Sequence, residues 1–470
     1  MKQIDSSLQF LRNPPVHVHA TERMPLPHEC WAFGSRRARA LQGSGYVRKT
    51  LSAWACFGLA ICLVLARGEG LRTGEARIDV TPEQPVVLAG YASRTNLSEG
   101  VHDRLSARVV AFEQDGRRLV LVSLDNLGFY NDTSGPLRQA ILEACAIQPS
   151  ELFLCAIHTH SAPLLTLDTA RGHPNNVAYT KALGGKLAQG VREALARLVP
   201  AELGVGSGSS PVGVNRREVA QGVDGKTKVV LGRNPSRITD REVEVLKVVN
   251  PGGTEPAVLL FAYGTHSTSL GPGNYQVSGD IHGLAAQFLE KYFGGDLVAP
   301  EFAGASGDID PWVRVLPGFR TGRGWVPETV LMGTLLAEEV ARVAEGIHTS
   351  ATNCPIRTAW KTLALPARPK GEAASSDDTT ASMTITVARL GGIAFVGLGG
   401  EVFNELGKAI KLSSPFHPTL VLTHCNGAAG YVPTRPSYSE GGYEVQSSSF
   451  APGGGEQLVE EAVRMLKELQ

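Results

Sequence analysis

From Gly70 onward the chain repeats one pattern, a short unbroken apolar run that ends in a polar or glycine-rich tip. The runs are Leu119–Leu124 ending in Asp125, Phe153–Ile157 ending in His158, and Val258–Ala262 leading to His266. Two more are Ile393–Leu398 ending in Gly399-Gly400-Glu401, and Thr419–Thr423 leading to Gly427 and Tyr431. A short apolar run bounded by breakers reads as a strand, and one without alternation as a strand covered on both faces. Amphipathic segments of helical period lie between the runs, at 135–146, 179–198, 281–293, 328–346, 402–412 and 456–469. Strands alternating with helices predict an α/β domain, a mixed β-sheet core flanked by helices. In such folds ligands gather beyond the carboxyl ends of strands, so the polar tips are candidate site positions. No internal repeat or long linker is expected, and 366–379, polar and charged, reads as a surface excursion. The glycine-rich stretches near Gly204, Gly271 and Gly453 match neither a P-loop nor a Rossmann turn.

Residues 1–70 follow another rule. Arg36, Arg37, Arg39, Arg48 and Lys49 precede the almost wholly apolar run Leu51–Ala66. That run is short for a membrane span and fits the core of a secretory signal, or an anchor if it is not cleaved. The stretch before it has scattered Pro and His and no periodicity, so a disordered extension with translation starting near Val47 is expected. The division is therefore 1–70 as extension and signal, and 71–470 as one domain, acting in a secreted or extracytoplasmic setting. Lys plus Arg and Asp plus Glu both number 45, a balance that argues against nucleic acid or another polyanion as partner. Cys145, Cys155, Cys354 and Cys425 show no CxxC spacing and could be paired or be small buried hydrophobes.

The densest chemistry lies in His158-Thr159-His160 at the end of an apolar run. Side chains at i and i+2 of a strand share a face, so both imidazoles are expected to address one pocket. One could hold a metal while the other moves protons; a plain hydrogen-bonded pair is the simpler alternative. His266, Glu401 and Tyr431 sit at other tips. Two imidazoles and a carboxylate make a catalytic zinc site with an open position, although Glu401 also suits a helix N-terminus and Tyr431 a packed aromatic. A rival motif is Ser278-Gly279-Asp280-Ile281-His282-Gly283 with Gly307-Asp308-Ile309-Asp310, similar to two-metal phosphoesterases but with the wrong aspartate spacing and no later Gly-Asn-His-Glu.

Taken in order, the motifs resemble the catalytic domain of the neutral/alkaline (non-lysosomal) ceramidases. They are Ala76–Pro82, Gly90-Tyr91, 102–108, Ile157–Pro163, Val214–Arg216 with Arg233–Pro235, Gly264–Ser269 with Ser278–Asp280, Gly307-Asp308 with Pro311, Gly400-Glu401, and Gly430-Tyr431 with Tyr443-Glu444. The resemblance implies one zinc ion held by His158, His266, Glu401 and Tyr431. It implies His160 as the active-site proton carrier, Tyr443 as a second active-site tyrosine and Arg216 as a substrate-binding arginine. The implied reaction is attack of an activated water on an amide carbonyl, giving a carboxylic acid and an amine.

The sequence departs from that family in three places. Asp310 stands where the family has an active-site serine, and a carboxylate cannot donate as a hydroxyl does. The segment between the two tyrosines is rewritten as Pro433–Tyr438. No C-terminal β-sandwich is expected after the last helix. Three hypotheses follow: a zinc hydrolase of N-acyl amides with a ceramide-like lipid as default and a membrane surface as a possible partner; a hydrolase of the same fold for another amide or ester; and a non-catalytic cell-surface binding module.

Overall fold

The computed structural model describes residues 70–222, 225–313, 327–368 and 380–470. The apolar run at 51–66, Cys30, Cys56, Cys62 and most of the 366–379 excursion lie outside the described residues.

Three sheets are built in the same way. The first runs through β1 (Arg72–Asp79), β2 (Ser106–Gln114) and β3 (Arg117–Leu124) as an antiparallel meander. Helix α1 (Ser134–Cys145) then crosses over to β4 (Leu152–Ala156), parallel to β3, and α2 (Pro174–Ala196) follows. The second sheet repeats this order with β5 (Glu202–Ser209), β6 (Glu242–Val249), β7 (Pro256–Tyr263), α3 (Asp280–Phe293), β8 (Glu301–Ala303) and α4 (Glu328–Gly346). The third uses β9 (Ile356–Pro366), β10 (Thr380–Leu390), β11 (Ile393–Leu398), α5 (Asn404–Ser413), β12 (Thr419–Leu422) and α6 (Gly454–Lys467). The fold is thus mixed α/β, as expected. The expectation of no internal repeat is corrected: connectivity repeats three times although residue identity does not, because a meander and a crossover demand only a pattern of apolar and turn residues. Strand β9 shows no unbroken apolar run, because between its buried residues Ile356 and Leu365 every position is exposed or half-buried.

Each sheet packs its outer face on its own helices. Val109, Val122 and Leu154 meet Leu137 and Leu187; Val245, Leu259 and Phe261 meet Leu289 and Leu336; Ile385, Val396 and Val421 meet Ile410 and Leu458. The inner faces of all three sheets share one further core, including Phe112, Phe153, Leu246, Leu260, Phe302, Phe395 and Leu420. Burial on both faces is why the runs read as continuously apolar. Cys155 and Cys425 face each other across a β-bridge, and all four described cysteines are free, buried thiols. Gly397 lies here because a Cβ would stand 2.5 Å from Cys425 Sγ and 3.0 Å from the Phe153 ring. No described helix is long and apolar enough to cross a membrane.

Strands β4, β8 and β12 end their sheets, and each carries backbone groups that must find partners inside the protein. The segment after β12 supplies several of them. Ala156 N–H donates to the His424 carbonyl at 3.2 Å, Asn426 N–H to Leu154 at 2.8 Å, and Thr423 N–H to Ala303 at 2.8 Å. The Asn426 side chain imitates a further strand: it accepts from Leu154 N–H at 3.1 Å and donates to the Leu152 carbonyl at 2.7 Å and Thr386 Oγ1 at 2.9 Å. Replacing it by Ala strands buried donors and acceptors, each costing about 1–3 kcal/mol. The Asn426→Ala protein is expected to lose on the order of 3 kcal/mol of stability by urea titration; a shift below about 0.5 kcal/mol would contradict this role for the side chain.

Candidate metal centre

The carboxyl ends of β3, β4, β7 and β11 open on one buried point. His158 lies two residues past β4 with φ of 60°, a left-handed backbone that a non-glycine residue adopts only under constraint. Its Nδ1–H donates to the Leu127 carbonyl beyond β3 at 2.7 Å. His266, just past β7, turns its Nδ1–H to the Ser306 and Ile309 carbonyls at 2.8 and 3.0 Å. Each ring therefore turns Nε2 inward, that of His158 toward His160 Nε2 at 3.4 Å and that of His266 accepting from Arg216 Nη1 at 3.2 Å. The Nε2 atoms of His158 and His266 lie 3.5 and 3.4 Å from Oε2 of Glu401, which follows β11. Glu401 Oε1 accepts from the Tyr130 hydroxyl at 2.7 Å, whereas Oε2 is buried with no hydrogen-bond donor. Burial alone would push the Glu401 carboxyl up, but the flanking imidazoles hold it well below the usual range.

Glu401 Oε2 and the two Nε2 atoms thus converge, and Oε2 has no hydrogen-bond partner. A buried acceptor without a partner is costly, and a cation removes the cost. Imidazole nitrogens with a carboxylate oxygen are the donors zinc prefers, and second hydrogen bonds from the ligands to backbone carbonyls or a phenol are the usual support. Three histidines, His158, His160 and His266, also bring ligand atoms within 4.8 Å of one another and could hold a metal ion. His160 Nε2 is 3.4 Å from His158 Nε2, and its Nδ1 is buried and unpartnered. The ring leans on Tyr91 and fits only because residue 90 is glycine: a Cβ there would stand 2.4 Å from Nδ1. Burial first, and the neighbouring rings second, push His160 well below its ordinary value; burial first, and Arg216 second, lower His266.

The remaining sequence candidates line the wall of this point. Glu401 and Tyr431 are register partners in a short parallel pair, and the Tyr431 hydroxyl accepts from Arg216 Nη2 at 3.2 Å. Tyr443 is 48 % exposed, its ring 5.6 Å from that of Tyr431, so it sits at the mouth. Asp310 bridges Arg216 at 3.1 Å and Arg233 at 3.2 Å. Burial opposes its charge, yet Arg216, His266 and Arg233 keep it below the usual carboxylate range.

Four contributors carry no assigned role in the sequence reading, although Asp308 and Glu444 fall within its motifs. Tyr130 steadies Glu401 from beyond the β3 tip. His424, at the tip of β12 and also left-handed, stacks on His158 with ring centroids 3.9 Å apart. Glu444 is shared by Arg216 and Arg217. Asp308 accepts from Asn404 N–H at 2.8 Å and Asn215 Nδ2 at 2.7 Å, pinning the strand end beside Glu401. The tip rule itself pointed at His424, passed over in favour of Gly427 and Tyr431.

The phosphoesterase alternative is not supported by the geometry. Asp280 binds Ser269 and Leu270 N–H groups, His282 pairs with Glu301 and the Thr265 carbonyl, and Asp308 serves the backbone as above. These residues face separate internal partners, and no two-metal group forms from them among the described residues.

Fold and site together define a mixed α/β protein with a buried histidine–carboxylate centre that could hold a metal ion. A family model described as neutral/alkaline non-lysosomal ceramidase, N-terminal, matches residues 71–313, just over half of the chain, and the chain belongs to that family. It is 25% identical to neutral ceramidase of Oryza sativa over 271 residues, covering 53% of this chain and 33% of the relative. It is 28% identical to neutral ceramidase of Mycobacterium tuberculosis over 259 residues, 51% of this chain and 39% of the relative. The chain thus spans between 33% and 39% of these relatives. The solved neutral ceramidase of Pseudomonas aeruginosa superposes with a TM-score of 0.69 at 19% identity, covering 85% of this chain and 75% of that one. A ceramidase structure described as complexed with C2 gives 0.68 at 18%, with the same coverage. These structural likenesses establish the fold.

Burial pushes the Asp308 carboxyl up to about 6. An unfolded aspartate titrates near 3.9, so from about pH 4 to 6 the folded protein keeps a proton that the unfolded chain has lost. The carboxyl's contribution is full below that window and is lost as pH rises through it, by about 3 kcal/mol for a shift of roughly two units. The stability of the native protein minus that of Asp308→Asn is therefore expected to fall between pH 4 and 7 in urea titrations. A pH-independent difference would refute this.

Proposed function

We propose that the chain is a zinc-dependent amidohydrolase that cleaves an N-acyl amide, with a ceramide-like lipid (N-acylsphingosine) as the default substrate. The observation that carries this reading is Glu401 Oε2, buried and undonated between the Nε2 atoms of His158 and His266. Membership of the ceramidase family, and the relatives' names, supply the substrate class. In this reading His158, His266, Glu401 and Tyr431 hold one zinc ion. Zinc supplies Lewis acidity, bringing the pKa of a water toward about 7 and polarising a carbonyl.

The chain's own groups do the rest. His160, kept neutral by burial, receives the proton of the attacking water and returns it to the leaving nitrogen. Gly90 and Tyr91 fix its ring for this task. The Tyr443 hydroxyl, at the mouth, donates to the carbonyl oxygen as negative charge builds there in the transition state. Asp310 stays ionised between its arginines and makes one wall of the mouth polar. One water is consumed, and a fatty acid and an amine leave. We place this activity outside the cytoplasm on the strength of the apolar run 51–66, with residues 1–70 as its carrier and a membrane surface as the natural source of substrate.

A second reading, the same chemistry on a different amide or ester, is favoured by Asp310 in place of a hydroxyl donor. Incubating the zinc-analysed protein with a panel of N-acylated lipids, short N-acyl amides and esters separates the two. Equimolar acid and sphingoid base from ceramide supports the first, and cleavage confined to the simple compounds the second. Inactivity with no bound zinc would leave a binding module.

His266→Ala is expected to abolish zinc content and activity together. His160→Ala should keep zinc and lower kcat by about 10²–10⁴-fold. Zinc content by elemental analysis alongside turnover checks both; full zinc occupancy in His266→Ala would show the ligand assignment to be wrong.

A further inference from the structure

Arg216 is buried, and its guanidinium is largely committed within the protein. Nε donates to Glu444 Oε1 at 2.8 Å, Nη1 to Asp310 Oδ1 at 3.1 Å, Nη1 again to His266 Nε2 at 3.2 Å, and Nη2 to the Tyr431 hydroxyl at 3.2 Å. Four of the five N–H groups that a guanidinium carries are engaged. The anchors are themselves fixed, Glu444 by Arg217 at 2.7 Å and Asp310 by Arg233 at 3.2 Å. The rings of Tyr431 and Tyr443 lie 5.5 and 6.0 Å from its Cζ. Turning this group toward a ligand would break charge-assisted bonds, which are about twice as strong as neutral ones.

The two neutral partners are both candidate ligands. Arg216 reaches the Tyr431 hydroxyl and the His266 nitrogen from one rigid fork, while Asp310 and Glu444 cancel its charge. We propose that Arg216 is a positioning residue that holds the Tyr431 hydroxyl in register for the metal, keeps the His266 ring in place while the metal is absent, and leaves contact with the substrate to Tyr443. This rests on the zinc reading above. A planar fork suits the task because it fixes two acceptors at a set separation; a lysine carries the same charge on a single flexible point and cannot span them. The bond into His266 Nε2 uses the lone pair the metal needs, so that contact serves the metal-free chain, and the bond to Tyr431 serves both states. Asp310 gains a purpose of its own: as a hydrogen-bonded carboxylate it locks the fork from the side away from Glu444, which a serine hydroxyl would do with less charge.

The test is a double-mutant cycle on zinc affinity, measured by chelator competition on the full chain, for Arg216→Lys, Tyr431→Phe and the pair combined. Loss of a supporting group typically weakens metal binding about 10–100-fold. Arg216→Lys is expected to weaken zinc by about tenfold or more, Tyr431→Phe comparably, and the combination no further than the weaker single variant, since one acts through the other. On a short-chain ceramide the KM of Arg216→Lys should stay within about twofold of the native value. Native zinc affinity in Arg216→Lys, losses that multiply in the combined variant, or a raised KM with zinc affinity intact would each overturn the proposal, the last by showing a substrate contact. If Arg216→Lys does not fold, Glu444→Gln, which loosens the anchor and spares the donors, is expected to weaken zinc in the same direction, and native affinity there overturns the proposal. A native protein that binds no zinc at all refutes the metal reading itself, a result plainly distinct from the others.

Discussion

The architecture depends on where three sheet edges meet. Strands β4, β8 and β12 each leave backbone groups facing inward, where no water can serve them. The chain segment from Thr423 to Asn426 threads between the first two edges and answers both, by main-chain bonds and by the amide of Asn426. This fastening fixes the separation of the strand ends, and so of the tips beyond them. Placement of His158, His266 and Glu401 follows from edge satisfaction as much as from anything in the tips themselves.

The tips in turn obey a division of labour. Backbone carbonyls take the Nδ1 protons of His158 and His266, the Tyr130 phenol donates to one oxygen of Glu401, and the other oxygen is left without a donor between the two Nε2 atoms. Apolar packing could not maintain such an arrangement alone, because unpaired acceptors in a low-dielectric interior repel. The left-handed backbone of His158 and its stacking on His424 show local strain held by surrounding structure, a common mark of functional positions.

Much of this was legible beforehand, for physical reasons. Doubly covered strands write themselves as unbroken apolar runs, which is why β3, β4, β7, β11 and β12 and the tips after them could be read directly. The helices were readable to within a few residues, 328–346 matching α4 at both ends. Strands β9 and β10 were not, since β9 shows solvent one side and its alternation is imperfect. The threefold connectivity was hidden because chain direction is set by turns and crossovers, which tolerate almost any residues of the right class. Tyr130 was missed, and Glu444 and Asp308 were named without a role, because each acts through a partner that lies far away in sequence. Arg216 and most of its neighbours were found, but only folding reveals that four of its five donors are taken.

His158 comes from the first β-meander and crossover unit, His266 from the second and Glu401 from the third. No fragment holding one or two of these units contains all three of these donors. Any ion that prefers the full set therefore binds only the assembled molecule, and its binding energy is added to the cohesion of all three units at once. Occupancy becomes a report on global integrity: a chain frayed at any single seam would release its ion before it unravelled, and a loaded chain would resist opening at every seam together.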